Sequence, residues 1–157
     1  MTDTVLDIQG LKVHFKRPRK NLLAPQEVVH AVDGVSFSVK RGTTFGIVGE
    51  SGSGKSTTAL ALSRLAHITD GSVTLDGTDI TNLEGAELRK MRQRIQMIFQ
   101  DPYSSLNPRV RAGAIVREPM DLLDVWDPDE REARVEELFR RVGLRPEQKL
   151  LFPHQFS

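Results

Sequence analysis

The chain has 157 residues, with 22 Lys and Arg against 21 Asp and Glu, so its formal net charge of +1 gives no general attraction to nucleic acid. It contains no cysteine, which excludes disulfides and thiolate metal sites and suits a reducing compartment. No apolar run approaches the roughly 18 residues of a membrane-spanning helix. The first residues also lack the basic and apolar segments of a secretory signal. Composition therefore predicts one domain's worth of globular protein, with any membrane role exercised through a partner.

The first part of the chain has the alternation of apolar residues that is typical of strands. Residues 5–15 predict one strand with a break at Gly10, and residues 35–39 predict another. Between them, residues 16–25 form a basic, proline-containing insertion. A nucleic-acid patch is one interpretation of this insertion, but we expect a solvated loop because the surrounding sequence carries no excess of positive charge.

A glycine-rich segment follows a third apolar run. Residues 44–48 predict a strand, residues 49–57 read GESGSGKST, and residues 57–65 look helical. The segment fits the phosphate-binding pattern G-x-x-x-x-G-K-[ST] between a strand and a helix, which is the context that the pattern requires. We therefore predict a nucleoside triphosphate site, whose residues are Gly49, Glu50, Ser51, Gly52, Ser53, Gly54, Lys55, Ser56 and Thr57.

The residue types in this segment explain how phosphate would be held. Glycines let backbone N–H groups turn inward where a side chain would block their approach, and the helix start adds unpaired donors and partial positive charge. Lys55 would reach the β- and γ-phosphates of ATP, and the Ser56 hydroxyl would bind Mg²⁺. Glu50 lies at a variable position of the pattern, and we give it no catalytic role.

Downstream of this segment, the pattern continues as mixed β and α structure. Val73 and Leu75 alternate up to Asp76-Gly77, a signal for a tight hairpin turn. Residues 83–91 look helical, and the near-continuous apolar run at residues 95–99 predicts a buried strand.

After Gln100 the sequence becomes helical and is interrupted by prolines. Asp127-Pro128 predicts a helix start, and Gly143 predicts its end. The apolar face of this helix has four residues, and three pairs of opposite charge lie four residues apart on the other faces. The face comprises Val135, Leu138, Phe139 and Val142, and the pairs are Glu130–Arg134, Glu136–Arg140 and Glu137–Arg141.

The segment at residues 98–108, IFQDPYSSLNP, strongly resembles the Q-loop of ATP-binding cassette (ABC) proteins, particularly the dipeptide, oligopeptide and nickel importer branch. The segments at residues 31–37 and 46–48 also resemble sequences of this family, as does the final FPHQFS at residues 152–157. The resemblance covers essentially the whole chain. It implies an α/β fold: a P-loop (RecA-like) core with an antiparallel β portion at residues 1–99, then the Q-loop and an incomplete helical subdomain at residues 100–157.

The resemblance also implies roles for two residues outside the phosphate loop. Gln100 matches the Q-loop glutamine, which contacts Mg²⁺ and the attacking water and lies where the helical subdomain meets the permease. Phe15 matches the aromatic residue that stacks on adenine, although it equally fits an apolar strand face. The implied partners are permease subunits and a second ATP-binding subunit, with no nucleic acid. The implied location is peripheral, at the cytoplasmic face of the cell membrane.

The end of the sequence matters for catalysis in this resemblance. The family's signature segment, of the type L-S-G-G-Q, is matched only in its first two positions by Phe156-Ser157. The acidic Mg²⁺-binding strand, catalytic glutamate and switch histidine would come later in the family's order. We therefore expect part of an ATP-hydrolysing importer subunit, with two alternatives: a nucleotide-binding fragment incapable of hydrolysis, and an ABC ATPase that does not serve transport.

The histidines do not show metal-binding spacing. The chain has four of them, His14, His30, His67 and His154. Their separations along the sequence match no zinc-ligand pattern, so we predict no histidine metal site.

Overall fold

A computed structural model describes residues 3–19, 21, 25–101 and 105–156 of the chain. The chain divides into two compact units, Met1–Met97 and Ile98–Ser157. None of the helices in the described ranges combines the length and the apolar character needed to cross a membrane.

The first unit is a four-stranded sheet with two helices. Its strands lie in the order β2-β1-β3-β4, and every neighbouring pair is antiparallel. The elements are β1 (Thr4–Lys16), β2 (Val28–Lys40), α1 (Lys55–Leu62), β3 (Asp70–Leu75), β4 (Thr78–Asp79) and α2 (Gly85–Arg92). The predicted antiparallel portion and the helices after the glycine-rich segment are confirmed.

An irregularity in β1 explains the break in its alternation. The pairing of β1 with β2 shifts register between Ile8 and Leu11, and Gly10 lies between them with φ of +60°. An extra residue in one strand moves the following side chains to the opposite face. As a result, Ile8, Leu11 and Val13 all face the core with no exposed surface. They pack with buried residues of β3, of α1 and of the segment that follows α1, including Val73, Ala61 and Ile68.

The predicted tight turn joins β3 to β4. Asp76 and Gly77 have φ of +46° and +77°, the positive values that a two-residue hairpin turn favours because they match the twist of the strands. The Asp76 carboxylate also accepts hydrogen bonds from Arg41 and Arg94. The turn is thereby connected to the residue after β2 and to the residues after α2.

Two predicted strands are wrong. Neither residues 44–48 nor residues 95–99 form a strand, and Val48 and Ile98 are 92% and 90% exposed. A buried strand needs hydrogen-bonded neighbours on its edges and packed layers on its faces. No strand of the described ranges pairs with either segment, so their apolar composition is not matched by burial.

The second unit consists of helices. It contains α3 (Ala112–Leu122), α4 (Pro128–Arg141) and two short 3₁₀ helices, Pro146–Leu150 and Pro153–Gln155. Met120 of α3 packs with Val135 and Phe139 of α4 as its buried core.

Both ends of α4 lie where the sequence predicts them. The helix begins at Pro128, directly after Asp127. At its end, the N–H of Gly143 donates to the Arg140 carbonyl and the N–H of Leu144 donates to that of Phe139. This bond pattern needs a positive φ, and Gly143 adopts +78°.

The charged and apolar faces of α4 follow the prediction in part. The pairs Glu136–Arg140 and Glu137–Arg141 form, but Arg134 pairs with Glu137 instead of Glu130. Val135 and Phe139 are buried, whereas Leu138 and Val142 are exposed. They border an apolar groove of about 280 Å³, whose lining residues include Leu106, Ile115, Val116, Leu138, Val142 and Phe156.

The turn between α3 and α4 is organised by one buried guanidinium. Arg131 donates to the carboxylates of Asp121 and Asp124 at 2.8 and 2.7 Å, and its Nε donates to the carbonyls of Val125 and Trp126 at 3.1 and 3.2 Å. The hydrogen bond from Arg131 holds the pKa of Asp121 below its ordinary value. Asp124 and Trp126 both have positive φ, so these bonds hold a turn that most residues avoid.

We expect Arg131→Ala to lower the melting temperature of the second unit by roughly 4–8 °C, because two turn carbonyls and two carboxylates lose their shared donor. The single tryptophan, Trp126, lies in this turn and reports the transition by fluorescence. Arg140→Ala is the control, since Arg140 is exposed and pairs only along the helix surface. Equal shifts in the two variants would contradict this role of Arg131.

Candidate functional site

The glycine-rich segment lies against the sheet at Gly54. A Cβ atom at this position would lie 2.2 Å from the Ala31 carbonyl oxygen of β2, far inside contact distance. Gly54 also has φ of +89°, which disfavours residues with side chains. Both observations require glycine at position 54. The glycine of the motif is therefore explained by packing against β2 as well as by phosphate binding.

Lys55 directs its positive charge into the loop. Its Nζ donates to the carbonyl oxygens of Gly49 at 2.8 Å and Glu50 at 2.6 Å, and lies 3.4 Å from the Ser53 hydroxyl. The side chain is half-buried. The ammonium therefore lies within the curve of residues 49–53 instead of extending into solvent.

The start of α1 adds a second source of positive potential. The helix begins at Lys55, its N-cap Gly54 supplies no side-chain hydrogen bond, and its first turn contains no acidic residue. Early N–H groups of a helix have no intrahelical acceptor, and its N-terminus carries partial positive charge. A phosphate group fits this arrangement, because N–H donors, the helix end and the ammonium of Lys55 all favour an anion.

The remaining residues of the predicted site differ in exposure. Ser56 is exposed and presents a hydroxyl oxygen, a ligand type that Mg²⁺ accepts, while Thr57 is half-buried behind it. Gly49, Glu50, Ser51, Gly52 and Ser53 are exposed.

Phe15 ends the core-facing row of β1. Its neighbours in that row, Leu11 and Val13, are fully buried, but Phe15 is 46% exposed. It pairs with Val29 of β2 in the same unit as the phosphate loop. The core therefore covers the Phe15 ring only in part.

Gln100 belongs to the second unit and is exposed. Its predicted contact with Mg²⁺ and water stays a prediction. Three neighbours in the predicted Q-loop, Pro102, Tyr103 and Ser104, lie outside the described residues, as does Ser157 of the predicted signature segment.

Sequence spacing missed one cluster of potential metal ligands. His14 and His30 lie opposite each other on β1 and β2, and Asp33 lies beside both. The prediction of no histidine metal site rested on spacing along the sequence, whereas these potential ligands come together across strands. The hydrogen bond from the His14 ring holds the pKa of Asp33 below its ordinary value.

Comparison with known proteins agrees with the loop geometry. The family model described as "ABC transporter" matches residues 32–157. Among solved structures, "the ATP-binding cassette MJ0796 bound to ADP and Pi" superposes with a TM-score of 0.75 at 26% identity, covering 97% of this chain and 63% of that one.

Curated relatives are transport proteins. The oligopeptide transport ATP-binding protein AppF of Bacillus subtilis is 46% identical over 99% of this chain and 47% of its own length. The di/tripeptide transport ATP-binding protein DppF of Pseudomonas aeruginosa is 39% identical over 99% of this chain and 48% of its length. The chain thus spans about half the length of these relatives. Because the family model matches residues 32–157, most of the chain, the chain belongs to the ABC transporter family.

Proposed function

We propose that this chain is the nucleotide-binding part of an ATP-binding subunit of an importer for peptides or a related small solute. The proposal is carried by the arrangement around Lys55, where the lysine ammonium, the N-terminus of α1 and the sterically required Gly54 lie together. The solute class is supported by the names of the oligopeptide and di/tripeptide relatives.

Different residues of the chain would contact different parts of Mg-ATP. Lys55 balances the charge of the β- and γ-phosphates, and the exposed Ser56 hydroxyl offers an oxygen ligand to Mg²⁺. Bound Mg²⁺ neutralises charge that develops during phosphoryl transfer. Gln100 would orient the attacking water and contact the metal, while the exposed ring of Phe15 would stack on adenine.

The proposed setting is an assembly at the membrane. Permease subunits would carry the solute, and a second ATP-binding subunit, identical or related, would close over the nucleotide. The subunit would lie peripherally at the cytoplasmic face of the cell membrane. These partners follow from the transport relatives and from family membership.

Hydrolysis by these 157 residues is a separate question from binding. Phosphoryl transfer needs a positioned water, a held metal and neutralised charge. The chain supplies candidates in Lys55, Ser56 and Gln100, and it spans about half the length of its curated relatives. The second candidate function is therefore a nucleotide-binding piece that does not hydrolyse ATP unaided.

We expect Lys55→Ala to weaken Mg-ATP and Mg-ADP binding roughly 10- to 100-fold, the range for losing a charged hydrogen-bond donor. Isothermal titration of the folded chain measures this. The matched control is Lys90→Ala, an exposed lysine on α2 of the same unit. Equal affinities of wild type and Lys55→Ala would reject the assignment of the site.

For adenine, we expect Phe15→Ala to weaken ATP binding by about 1–3 kcal/mol, the scale of stacking between a base and an aromatic ring. Binding of inorganic triphosphate should change little, because it has no base. If both ligands lose affinity equally, Phe15 acts through the fold of β1 and not through adenine.

For turnover, we expect the 157-residue chain to bind Mg-ATP but to release no phosphate above background at any protein concentration. Lys55→Ala identifies contaminating ATPase in a phosphate-release assay. In a longer form that includes the signature segment, Gln100→Ala should lower turnover more than ATP affinity, because water positioning matters most in the transition state. Turnover by the 157-residue chain that depends on Lys55 would reject the second candidate function.

A further inference from the structure

The outer face of the β1–β2 ladder carries three side chains with metal-binding atoms. His14 pairs with His30, and Asp33 pairs with Lys12 two residues along β1. The His14 Nε2 lies 3.2 Å from one carboxylate oxygen of Asp33, and the His30 Nδ1 lies 3.6 Å from the other. The two imidazole rings are 4.0 Å apart, and one ligand atom from each of the three residues lies within 4.8 Å of the others.

A shift in register creates this cluster. Val13 pairs with Val32 and His14 with His30, so Ala31 of β2 has no partner on β1. In a regular strand, residues 30 and 33 would point to opposite faces, because side chains alternate. The extra residue moves Asp33 to the face of His30, while Val32 remains buried in the core.

The distances suit a transition-metal ion. Tetrahedral bonds of about 2.05 Å place ligand atoms about 3.3 Å apart. The two nitrogen–oxygen distances of 3.2 and 3.6 Å, each to a different oxygen of Asp33, are close to that value. The three ligand atoms lie within 4.8 Å of one another, so small side-chain rotations would bring them to one ion. Two imidazoles and a carboxylate are ligands that Zn²⁺ and Ni²⁺ accept, and a fourth position stays open to water.

The surroundings favour a cation. Lys12, which pairs with Asp33 across the two strands on the same face, is held by Asp70 at 2.9 Å. The carboxylate of Asp33 therefore gives the cluster its negative charge when the histidines are neutral. His30 and Asp33 are more than half exposed, so an ion has access. The backbone of His14 is fixed by a 2.9 Å hydrogen bond from its N–H to the Thr69 hydroxyl.

We propose that His14, His30 and Asp33 form a binding site for a divalent transition-metal ion such as Zn²⁺, separate from the nucleotide's Mg²⁺. The site is joined to the phosphate loop through Ala31, whose carbonyl contacts Gly54. An ion bound here would fix the backbone on both sides of Ala31, the unpaired residue whose carbonyl lies next to Gly54.

The test is isothermal titration of the chelator-treated 157-residue chain with Zn²⁺ alone. We expect one saturable site whose affinity falls at least tenfold in His30→Ala and in Asp33→Asn. Both residues are exposed, so these variants should keep the fold, which circular dichroism verifies. His67→Ala and His154→Ala are the matched controls and should bind Zn²⁺ as the wild type does. Mg²⁺ should not compete, because it disfavours imidazole ligands.

A second measurement addresses geometry. Co²⁺ in a tetrahedral site with nitrogen and oxygen ligands absorbs visible light much more strongly, and at longer wavelength, than the octahedral hydrated ion. Zn²⁺ should displace the Co²⁺ and remove this absorption. The absence of saturable Zn²⁺ binding would overturn the proposal, and so would an unchanged affinity in His30→Ala. In either case the cluster is a hydrogen-bonded group of side chains on the strand surface and not a metal site. Equal loss in His67→Ala or His154→Ala would also overturn it.

Discussion

The glycine-rich segment approaches the sheet closely where Gly54 meets the carbonyl of Ala31. Because a Cβ atom at residue 54 would clash with this oxygen, glycine is what lets the start of α1 lie this close to β2. The position of Lys55 follows from this contact, since it is the first residue of α1 and bends back to the carbonyls of Gly49 and Glu50. The chemical part of the site thus depends on a steric constraint outside the motif.

Ala31 in turn occupies its position because β2 has one residue more than β1 at this point. The same irregularity keeps Val32 in the core and places His30 and Asp33 together on the outer face. The unpaired Ala31 therefore has two effects. Its carbonyl is the group that Gly54 of the glycine-rich segment approaches, and it brings polar side chains together on the outer face of the sheet. Irregular positions of this kind re-aim side chains near functional sites.

The sequence predicted those features whose cause is local. Asp76-Gly77 specifies its own turn, Gly143 ends α4 through its own backbone conformation, and residues 49–57 carry their phosphate-binding pattern within nine positions. Features that depend on distant residues were not predictable in the same way. Residues 44–48 and 95–99 have strand composition but no pairing neighbour in the described ranges, and His14 approaches His30 only through the register of two strands.

The contact at Ala31 has a consequence for how this surface tolerates change over evolution. What Gly54 meets is a main-chain oxygen, which every amino acid provides, so the identity of residue 31 is weakly constrained from that side. The presence of a residue at position 31 is strongly constrained, because the loss of one residue would exchange the two faces of the strand from that point onward. Insertions and deletions, more than substitutions, are therefore the changes that this part of the chain excludes.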